Sequence, residues 1–380
     1  MFIIGGEVES MKSFIEEALA KTGASTTPDP RQFTDELVDE ELREMLEKMK
    51  INVKIVGVGG GGCNTVTRLS EEGIYGAESV AMNTDAQHLL ITRSQRKILL
   101  GKRITKGLGA GALPEIGEEA ARESEEELKK LFDGVHLVFI TCGLGGGTGT
   151  GAIPVVSKIA KDCGALVVAF VTLPFHGEGM SRMENAEAGL ERLKKAADAV
   201  VVIPNDKLLE VVPRLPLNTA FKVIDEILAH AIKGTTEMIT RPGLVNLDYN
   251  DLKTVLKDSG LALMGMGESS NVGDARALEA VTKALNSPFL DVGIEGAKGA
   301  MIHVEGGEDM TLVEAEKIAE EVQARASPTA RIIWGARVNP EMEHTLRATI
   351  IATGVEEKKY HEVVKGKKVA KGAPGVDMVK

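Results

Sequence analysis

The stretch FITCGLGGGTGTGAIP at residues 139–154 decides the fold, because it joins a predicted strand to a predicted helix through an unusual density of glycine. Six glycines fall within the nine positions 143–151. The apolar run VHLVFITC before them predicts a strand buried on both faces, and AIPVVSKIA after them has helical spacing. Glycine loses more backbone entropy on folding than any other residue, so such a loop weakens a fold unless something requires it. We therefore expect this loop to hold a ligand.

A second glycine cluster, GVGGGGCN at 57–64, follows the predicted strand INVKIVGVG and precedes another helix. It contains the G-x-G-x-x-G spacing of dinucleotide-binding loops, with Asp85 as a possible ribose ligand, although a tight turn alone could explain it. A third loop, GLGAGALPEIG at 107–117, precedes a helix that starts at Pro114. Helix N-termini and free backbone N–H groups bind anions, and Thr148 and Thr150 add hydroxyl donors. Three such turns favour a polyphosphate over the pyrophosphate of NAD, and the P-loop motif is absent from the sequence.

The remaining pattern predicts an α/β protein with a doubly wound parallel sheet, because apolar β-branched runs alternate with helical stretches from residue 51 onward. The predicted parts are a ligand-binding domain over 51–216, a long central helix over 217–241 and a smaller α+β domain over 242–355. Residues 1–50 carry twelve Asp or Glu against six Lys or Arg and form an acidic extension. Residues 356–380 carry seven Lys against four acids, and we expect this basic tail to be disordered.

Composition excludes several classes of function. The net charge of −11 disfavours binding to nucleic acid, because a phosphate backbone would be repelled. The three cysteines, Cys63, Cys142 and Cys163, provide neither a disulfide framework nor a C-x-x-C metal motif, which indicates a reducing, cytoplasmic location. We predict no signal peptide and no direct membrane insertion, since the sequence has no run of about 18 apolar residues.

The motifs together resemble those of the tubulin/FtsZ family of GTPases. GGGTGTG at 145–151 is highly specific for this family, and GVGGGGCN, NTDAQ, GLGAGALPEIG, VTLPF and RPGLVNLDYND extend the resemblance over about 51–355. The acidic extension looks more like that of archaeal FtsZ proteins than of bacterial ones. The resemblance implies a cell-division GTPase that binds GTP or GDP with Mg²⁺, whose ligands the sequence does not mark.

The resemblance also implies the residues of the nucleotide site. Phe221 and Asp225 lie four residues apart on the long helix, so one can stack on guanine while the other accepts its N1–H and 2-amino groups. Asn205 is expected to contact the base or sugar, Glu178 the ribose, and Arg182 the sugar and phosphates. The phosphate loops are expected to contribute Gly60, Gly61, Gly62, Cys63, Asn64, Ala110, Gly111, Gly146, Gly147, Thr148 and Gly149. Cys63 and Leu113 depart from the commoner family residues, and we expect binding to survive because both loops would act through backbone N–H groups.

The catalytic candidates are Asn246, Asp248 and Asp251, which lie beyond a helix of about 24 residues and hence about 36 Å from the glycine loops. Head-to-tail stacking of subunits would bring the two carboxylates over the GTP of the next subunit, where they would polarise water, with Asn246 as a positioning group. The alternative is that these acids only cap a helix start. Membrane-tethering division proteins are expected as further partners at the division site.

Two other functions stay open from the sequence. One is an NAD- or FAD-dependent oxidoreductase, which rests on GVGGGG alone and leaves the second glycine loop unexplained. The other is a structural filament protein that binds GTP without hydrolysing it, and the complete set of Asn246, Asp248 and Asp251 argues against it.

Overall fold

The computed structural model describes residues 51–211, 214, 216–241, 247–271, 275–290 and 293–355. The predicted acidic extension (1–50), the predicted basic tail (356–380) and Asn246 lie outside the described residues.

In the described part of the chain, ten strands form one sheet in the order β3-β2-β1-β4-β5-β6-β7-β10-β8-β9. Neighbours from β3 to β7 are parallel, β10 is antiparallel to β7 and β8, and β8 and β9 are parallel. The strands are β1 Val53–Val58, β2 Ala77–Asn83, β3 Arg96–Leu99, β4 Leu137–Gly143, β5 Leu166–Leu173, β6 Ala199–Pro204, β7 Gly260–Ser269, β8 Gly299–Gly306, β9 Arg331–Val338 and β10 Leu346–Thr353.

Helices cover both faces of this sheet. They are α1 Gly59–Glu72, α2 Ala86–Ile91, α3 Pro114–Glu123, α4 Glu125–Phe132, α5 Thr148–Asp162, α6 Met180–Ala196, α7 Asp206–Val211, α8 Leu217–Thr240, α9 Tyr249–Leu256, α10 Ala275–Leu285 and α11 Leu312–Arg325, with short 3₁₀ helices at His176–Glu178 and Pro288–Leu290. Successive side chains of β1 enter opposite apolar clusters: Val56 and Val58 pack with α3 to α6, whereas Val53 and Ile55 pack with α1 and α8. This alternation is the period of two that buries a strand on both faces.

The strands of the predicted smaller domain extend the first sheet. Strand β7 runs parallel to β6 over only three residue pairs, Ala199–Val201 against Gly260–Ala262. Strands β8 to β10 then continue the same sheet. The sequence predicted these strands but gave no sign of this pairing, because hydrogen bonds between distant segments leave no local pattern.

Two helices begin earlier than their apolar spacing indicates. Helix α1 starts at Gly59 and α5 at Thr148, so each glycine loop forms the first turn of the helix that follows it. The first four N–H groups of a helix have no partner within it, so these turns present backbone donors. Strand β3 was not predicted, since RKIL is short and begins with two exposed charged residues at the edge of the sheet.

Candidate nucleotide-binding site

The three glycine loops meet at the carboxyl ends of the parallel strands. Gly59 has a positive φ of 71°, and a Cβ there would lie 2.7 Å from the backbone nitrogen of Gly149, so the first two loops touch. The third loop joins them where Gly147 N–H donates to the carbonyl of Gly111 over 3.1 Å. Side chains at these contacts would separate the loops, which explains the glycine content that a strand-to-helix turn alone does not require.

The loops open on a cavity of about 440 Å³. Most of the predicted nucleotide ligands line it: Gly60, Gly61, Asn64, Gly111, Gly146, Gly147, Thr148, Gly149, Glu178, Arg182, Asn205, Phe221 and Asp225. His88, Gly143, Leu144, Thr172, Pro174 and Ile224 complete the lining. The sequence therefore located the residues of one concave surface, which is the usual form of a small-molecule site.

Three predicted ligands do not line this cavity. Gly62 packs against β4, where a Cβ would lie 2.3 Å from the carbonyl oxygen of Thr141. The Cys63 thiol is fully buried and points to the Met82 carbonyl, and burial raises the pKa of this thiol to about 11. Ala110 is also buried. It stays a prediction that these three residues contact the nucleotide, and any such contact would involve their backbone N–H groups.

One end of the cavity suits a purine base. The Phe221 ring is 38% exposed and meets Phe175 edge-on, with ring centroids 5.4 Å apart, so the rest of the ring is available for stacking. Asn205 is 5% exposed, and its Oδ1 has no hydrogen-bond partner among the described residues. A buried acceptor without a donor is costly, so a base amino group or sugar hydroxyl at this position would stabilise the site.

Asp225 provides the carboxylate at this end. Burial raises the pKa of its carboxyl to about 7, and a hydrogen bond from the Thr65 hydroxyl, 3.5 Å away, opposes the rise. Burial disfavours the charged form of a carboxyl group, and hydrogen-bond donors that face it favour the charged form. Guanine N1–H and the 2-amino group are two donors on adjacent atoms, and adenine does not offer this pair.

We predict a pH dependence of nucleotide affinity from this shift. Guanine donors require the ionised carboxylate, so binding should release the proton of Asp225. GTP affinity should be full above pH 7 and fall by about tenfold per pH unit below it, because one proton competes with the ligand. Titration with a fluorescent GTP analogue between pH 5.5 and 8 tests this. The phosphates also titrate, so Asp225→Asn is the control: an equal slope in this variant would contradict the prediction.

Glu178 and Arg182 form an ion pair at the side of the cavity, with 2.5 Å between Arg182 Nη1 and Glu178 Oε2. The second carboxylate oxygen of Glu178 accepts the backbone N–H of Phe175 over 2.9 Å. The pair is held at the start of α6, consistent with the predicted contacts to sugar and phosphate, which remain predictions.

His88 lines the cavity but was missing from the sequence-based list. It directly follows the NTDAQ motif, and only this adjacency could have indicated it. Asp85, considered as a ribose ligand, instead caps α2: its carboxylate accepts the N–H groups of Gln87 and His88 over 2.9 and 3.1 Å. It does not line the cavity, so the structure gives no support to a ribose contact by Asp85.

Asp248 and Asp251 lie at the amino ends of the parallel strands, opposite the carboxyl ends where the cavity lies. Asp248 caps α9 by accepting the N–H of Asp251 over 2.8 Å, and both residues are exposed. The hydroxyl of the intervening Tyr249 donates over 2.9 Å to the carbonyl of His136, one residue before β4. Strand β4 leads to the glycine loop after seven residues, and at about 3.3 Å per residue it spans roughly 23 Å. These carboxylates therefore cannot reach the cavity of their own subunit.

A second cavity of about 390 Å³ lies between α8 and strands β7 to β10. None of the glycine-loop residues lines it, and its charged side chains pair with one another, as in Glu72 with Lys233 and Glu305 with Arg347. The nearby group of Glu72, Glu226 and His230 has metal-ligand spacing, but Arg68 already pairs with both carboxylates.

The described residues that line the cavity do not form a Mg²⁺ site by themselves. Among the described lining residues, only Glu178 and Asp225 carry carboxylates. The first is bonded to Arg182 and to a backbone N–H, and the second lies beside Phe221 at the base end. Mg²⁺ prefers several oxygen ligands and retains water, so a cation here would depend on phosphate oxygens and water.

None of the helices in the described part of the chain combines the length and apolar character that a membrane span requires.

Comparisons with known proteins identify the family of this chain. Residues 52–213 match the model of the Tubulin/FtsZ family, GTPase domain, and residues 260–356 match that of the FtsZ family, C-terminal domain.

Cell division protein FtsZ 1 of Archaeoglobus fulgidus is 57% identical over 348 residues, which cover 91% of this chain and 94% of that protein. A Methanocaldococcus jannaschii structure described as an empty FtsZ dimer is 55% identical, with a TM-score of 0.81, and the match covers 86% of this chain and 94% of that one. The GTPgS-bound protofilament of CetZ2 from Haloferax volcanii shares the fold at 21% identity, with a TM-score of 0.70, over 83% of this chain and 100% of that one.

The three glycine loops open on one cavity at the carboxyl ends of parallel strands, and the match of the GTPase domain model places this cavity in a GTPase of the tubulin class. The chain belongs to the tubulin/FtsZ family, and within it to the FtsZ proteins, because both domains of that family match. It is a GTPase that binds GTP and GDP.

Proposed function

We propose that this protein is a cell-division GTPase that polymerises head to tail and hydrolyses GTP at the contact between subunits. One observation carries the proposal: the nucleotide cavity and the exposed Asp248–Asp251 turn lie at opposite ends of the parallel strands. A site with its binding loops at one end of the strands and its acids at the other end is incomplete in a single subunit. A heterologous contact that repeats along one axis completes it and generates a filament.

Each residue has a distinct role in this proposal. The glycine loops bind the phosphates through backbone N–H groups, while Phe221, Asp225 and Asn205 bind guanine. The carboxylates of Asp248 and Asp251 would enter from the neighbouring subunit and polarise the attacking water. Asn246 would position this loop or the phosphate.

We propose the predicted domain division on the same basis. Residues 51–216 would bind GTP, 217–241 would form the central helix, and 242–355 would supply the acids and the assembly surface. Helix α8, Leu217–Thr240, supports the central assignment, since its first half contains Phe221 and Asp225 and it ends shortly before the acidic turn in the sequence.

Mg²⁺ would accompany the triphosphate, bound by phosphate oxygens and water. The cell-division names of the relatives support a cytoplasmic location at the division site, with division proteins of unknown identity as the membrane tether.

We expect the GTPase activity per molecule to rise with protein concentration above a threshold, because the complete site exists only at a contact. Phosphate release should be measured across a dilution series with light scattering recorded in parallel. Activity and scattering should rise at the same concentration. Constant activity per molecule down to dilutions without dimer or polymer would contradict a shared site.

Competition binding separates the proposal from an NAD-dependent oxidoreductase. GTP should displace a fluorescent guanine nucleotide, whereas NAD should not, because its adenine cannot donate to the Asp225 carboxylate from two adjacent positions. Displacement by NAD at equal concentration would favour the oxidoreductase.

A further inference from the structure

A chain of three side chains leads from the end of β2 to the phosphate end of the cavity. Asn83, at the end of β2, is 3% exposed, and its Nδ2 lies 3.1 Å from Nδ1 of His88. On the other side of the ring, His88 Nε2 lies 3.2 Å from Oδ1 of Asn64. His88 and Asn64 both line the cavity, where the His88 Cε1 lies 3.7 Å from the position of a Cβ on Gly60.

Hydrogen bonds at the buried end determine the direction of every donor in this chain. Asn83 Oδ1 accepts two backbone N–H groups, from Thr84 over 2.9 Å and from Asp85 over 3.3 Å. The atom of Asn83 that faces His88 is therefore the NH₂ donor, and Nδ1 of the ring must accept. A neutral imidazole that accepts at Nδ1 carries its hydrogen on Nε2, which donates to Asn64 Oδ1.

This order leaves the Asn64 amide with its NH₂ group unused. Asn64 Nδ2 makes no hydrogen bond to a described residue, and Asn64 follows Gly60 by four residues on α1. Residues at i and i+4 share a helix face, and helical side chains lean toward the N-terminus. The free NH₂ group is thus on the same face as the unpaired backbone N–H of Gly60. Reversal of the amide would instead bring a carbonyl oxygen toward an anion.

We propose that His88 is a positioning residue of the nucleotide site, which holds the Asn64 amide with its NH₂ group toward a phosphate of GTP. The inference rests on the assignment of this cavity to GTP, and it is independent of catalysis shared between subunits. His88 acts through Asn64 and need not touch the nucleotide itself. Asn83 fixes the tautomer of His88, so the orientation of the Asn64 amide is set by the backbone N–H groups of Thr84 and Asp85 before a ligand arrives.

The test measures the Kd of a fluorescent GTP analogue at protein concentrations below assembly. Asn64→Ala and His88→Ala should each weaken binding by about fivefold to tenfold, the effect of one hydrogen bond to a charged group. The double variant should be no weaker than Asn64→Ala, because the histidine acts only through the asparagine. Additive losses in the double variant, or an unchanged Kd for His88→Ala with a weakened Asn64→Ala, would overturn the proposal.

Rescue and a spectroscopic signature separate positioning from a loss of structure. In His88→Gln the side-chain amide can accept from Asn83 and donate to Asn64, so affinity should return to within about twofold of the wild type. The control His230→Gln changes a histidine outside this cavity and should have no effect. In ¹⁵N-edited spectra of the wild type, the resonances lost in His88→Gln should have the Nε2–H tautomer pattern, and an Nδ1–H pattern would also overturn the proposal. If neither Asn64→Ala nor His88→Ala changes the Kd, this proposal fails, while the Asp225→Asn titration tests separately whether the cavity binds guanine.

Discussion

Asp251→Ala is expected to bind GTP with the affinity of the wild type and to hydrolyse it at least about a hundredfold more slowly. Its own cavity is complete, and only the carboxylate that it lends to a neighbour is missing; loss of such a group costs about 10²–10⁴ in rate. Asp251 is a cleaner target than Asp248, because Asp248 also caps α9 and its removal would cost about 1 kcal/mol of stability. Equilibrium binding and phosphate release under assembly conditions measure the two quantities separately.

Mixing two defective variants tests whether the site is shared. Gly149→Val should damage the cavity, because a Cβ at this position would lie 2.8 Å from the carbonyl oxygen of Gly143, yet it leaves Asp251 intact. The cavity of Asp251→Ala can then stack against the Asp251 turn of Gly149→Val, so the mixture should hydrolyse GTP faster than either variant alone. Glu320→Ala, which removes an exposed acid from α11, is the control and should retain full activity. A mixture no faster than its components would place the catalytic group within one subunit.

Asp225→Asn is expected to weaken GTP binding by roughly tenfold to a hundredfold, because guanine loses an acceptor for one of its two adjacent donors in a buried site. ATP should remain a poor ligand of both proteins. Competition titrations with GTP and ATP against a fluorescent guanine nucleotide measure the change.

Xanthosine triphosphate provides the matched rescue for this variant. Xanthine has a carbonyl in place of the 2-amino group of guanine, and the amide of an asparagine can donate to it while it accepts N1–H. The variant should therefore prefer XTP to GTP. Glu226→Gln, which changes the next residue of α8 outside the cavity, should keep the GTP preference of the wild type. Unchanged preference in Asp225→Asn would remove this carboxylate from the base site.

Local patterns in the sequence predicted most of the fold. The buried strands β1, β4, β5 and β6 appear as apolar β-branched runs, and Pro114 marks the start of α3. Strand β3 lacks such a run because it lies at an edge of the sheet. The first turns of α1 and α5 are rich in glycine, and the low helix propensity of glycine gives no indication that a helix starts there. The junction of β6 and β7 depends on three residue pairs between segments some sixty residues apart, which no local window contains.

The sequence predicted the site residues that belong to recognisable local motifs. It missed the residue whose role depends on side chains from distant parts of the sequence. Glycine loops and the Phe221–Asp225 spacing are visible in the chain itself. The importance of His88 depends on Asn83 and Asn64, which come from a strand end and a different helix. The thiol of Cys63 turns toward β2, because α1 starts early enough to place that position on its buried face.

The hydrogen bond from Tyr249 to the His136 carbonyl holds the acidic turn at the amino ends of the parallel strands, away from the cavity. In a row of n subunits that share sites in the proposed way, only n − 1 sites are complete. A dimer then completes one of its two sites, whereas a long polymer completes nearly all of them. The last cavity in the row always faces solvent without a partner, so its triphosphate persists. The two ends of a filament would therefore differ in nucleotide state as well as in shape, and the older interior would contain the diphosphate.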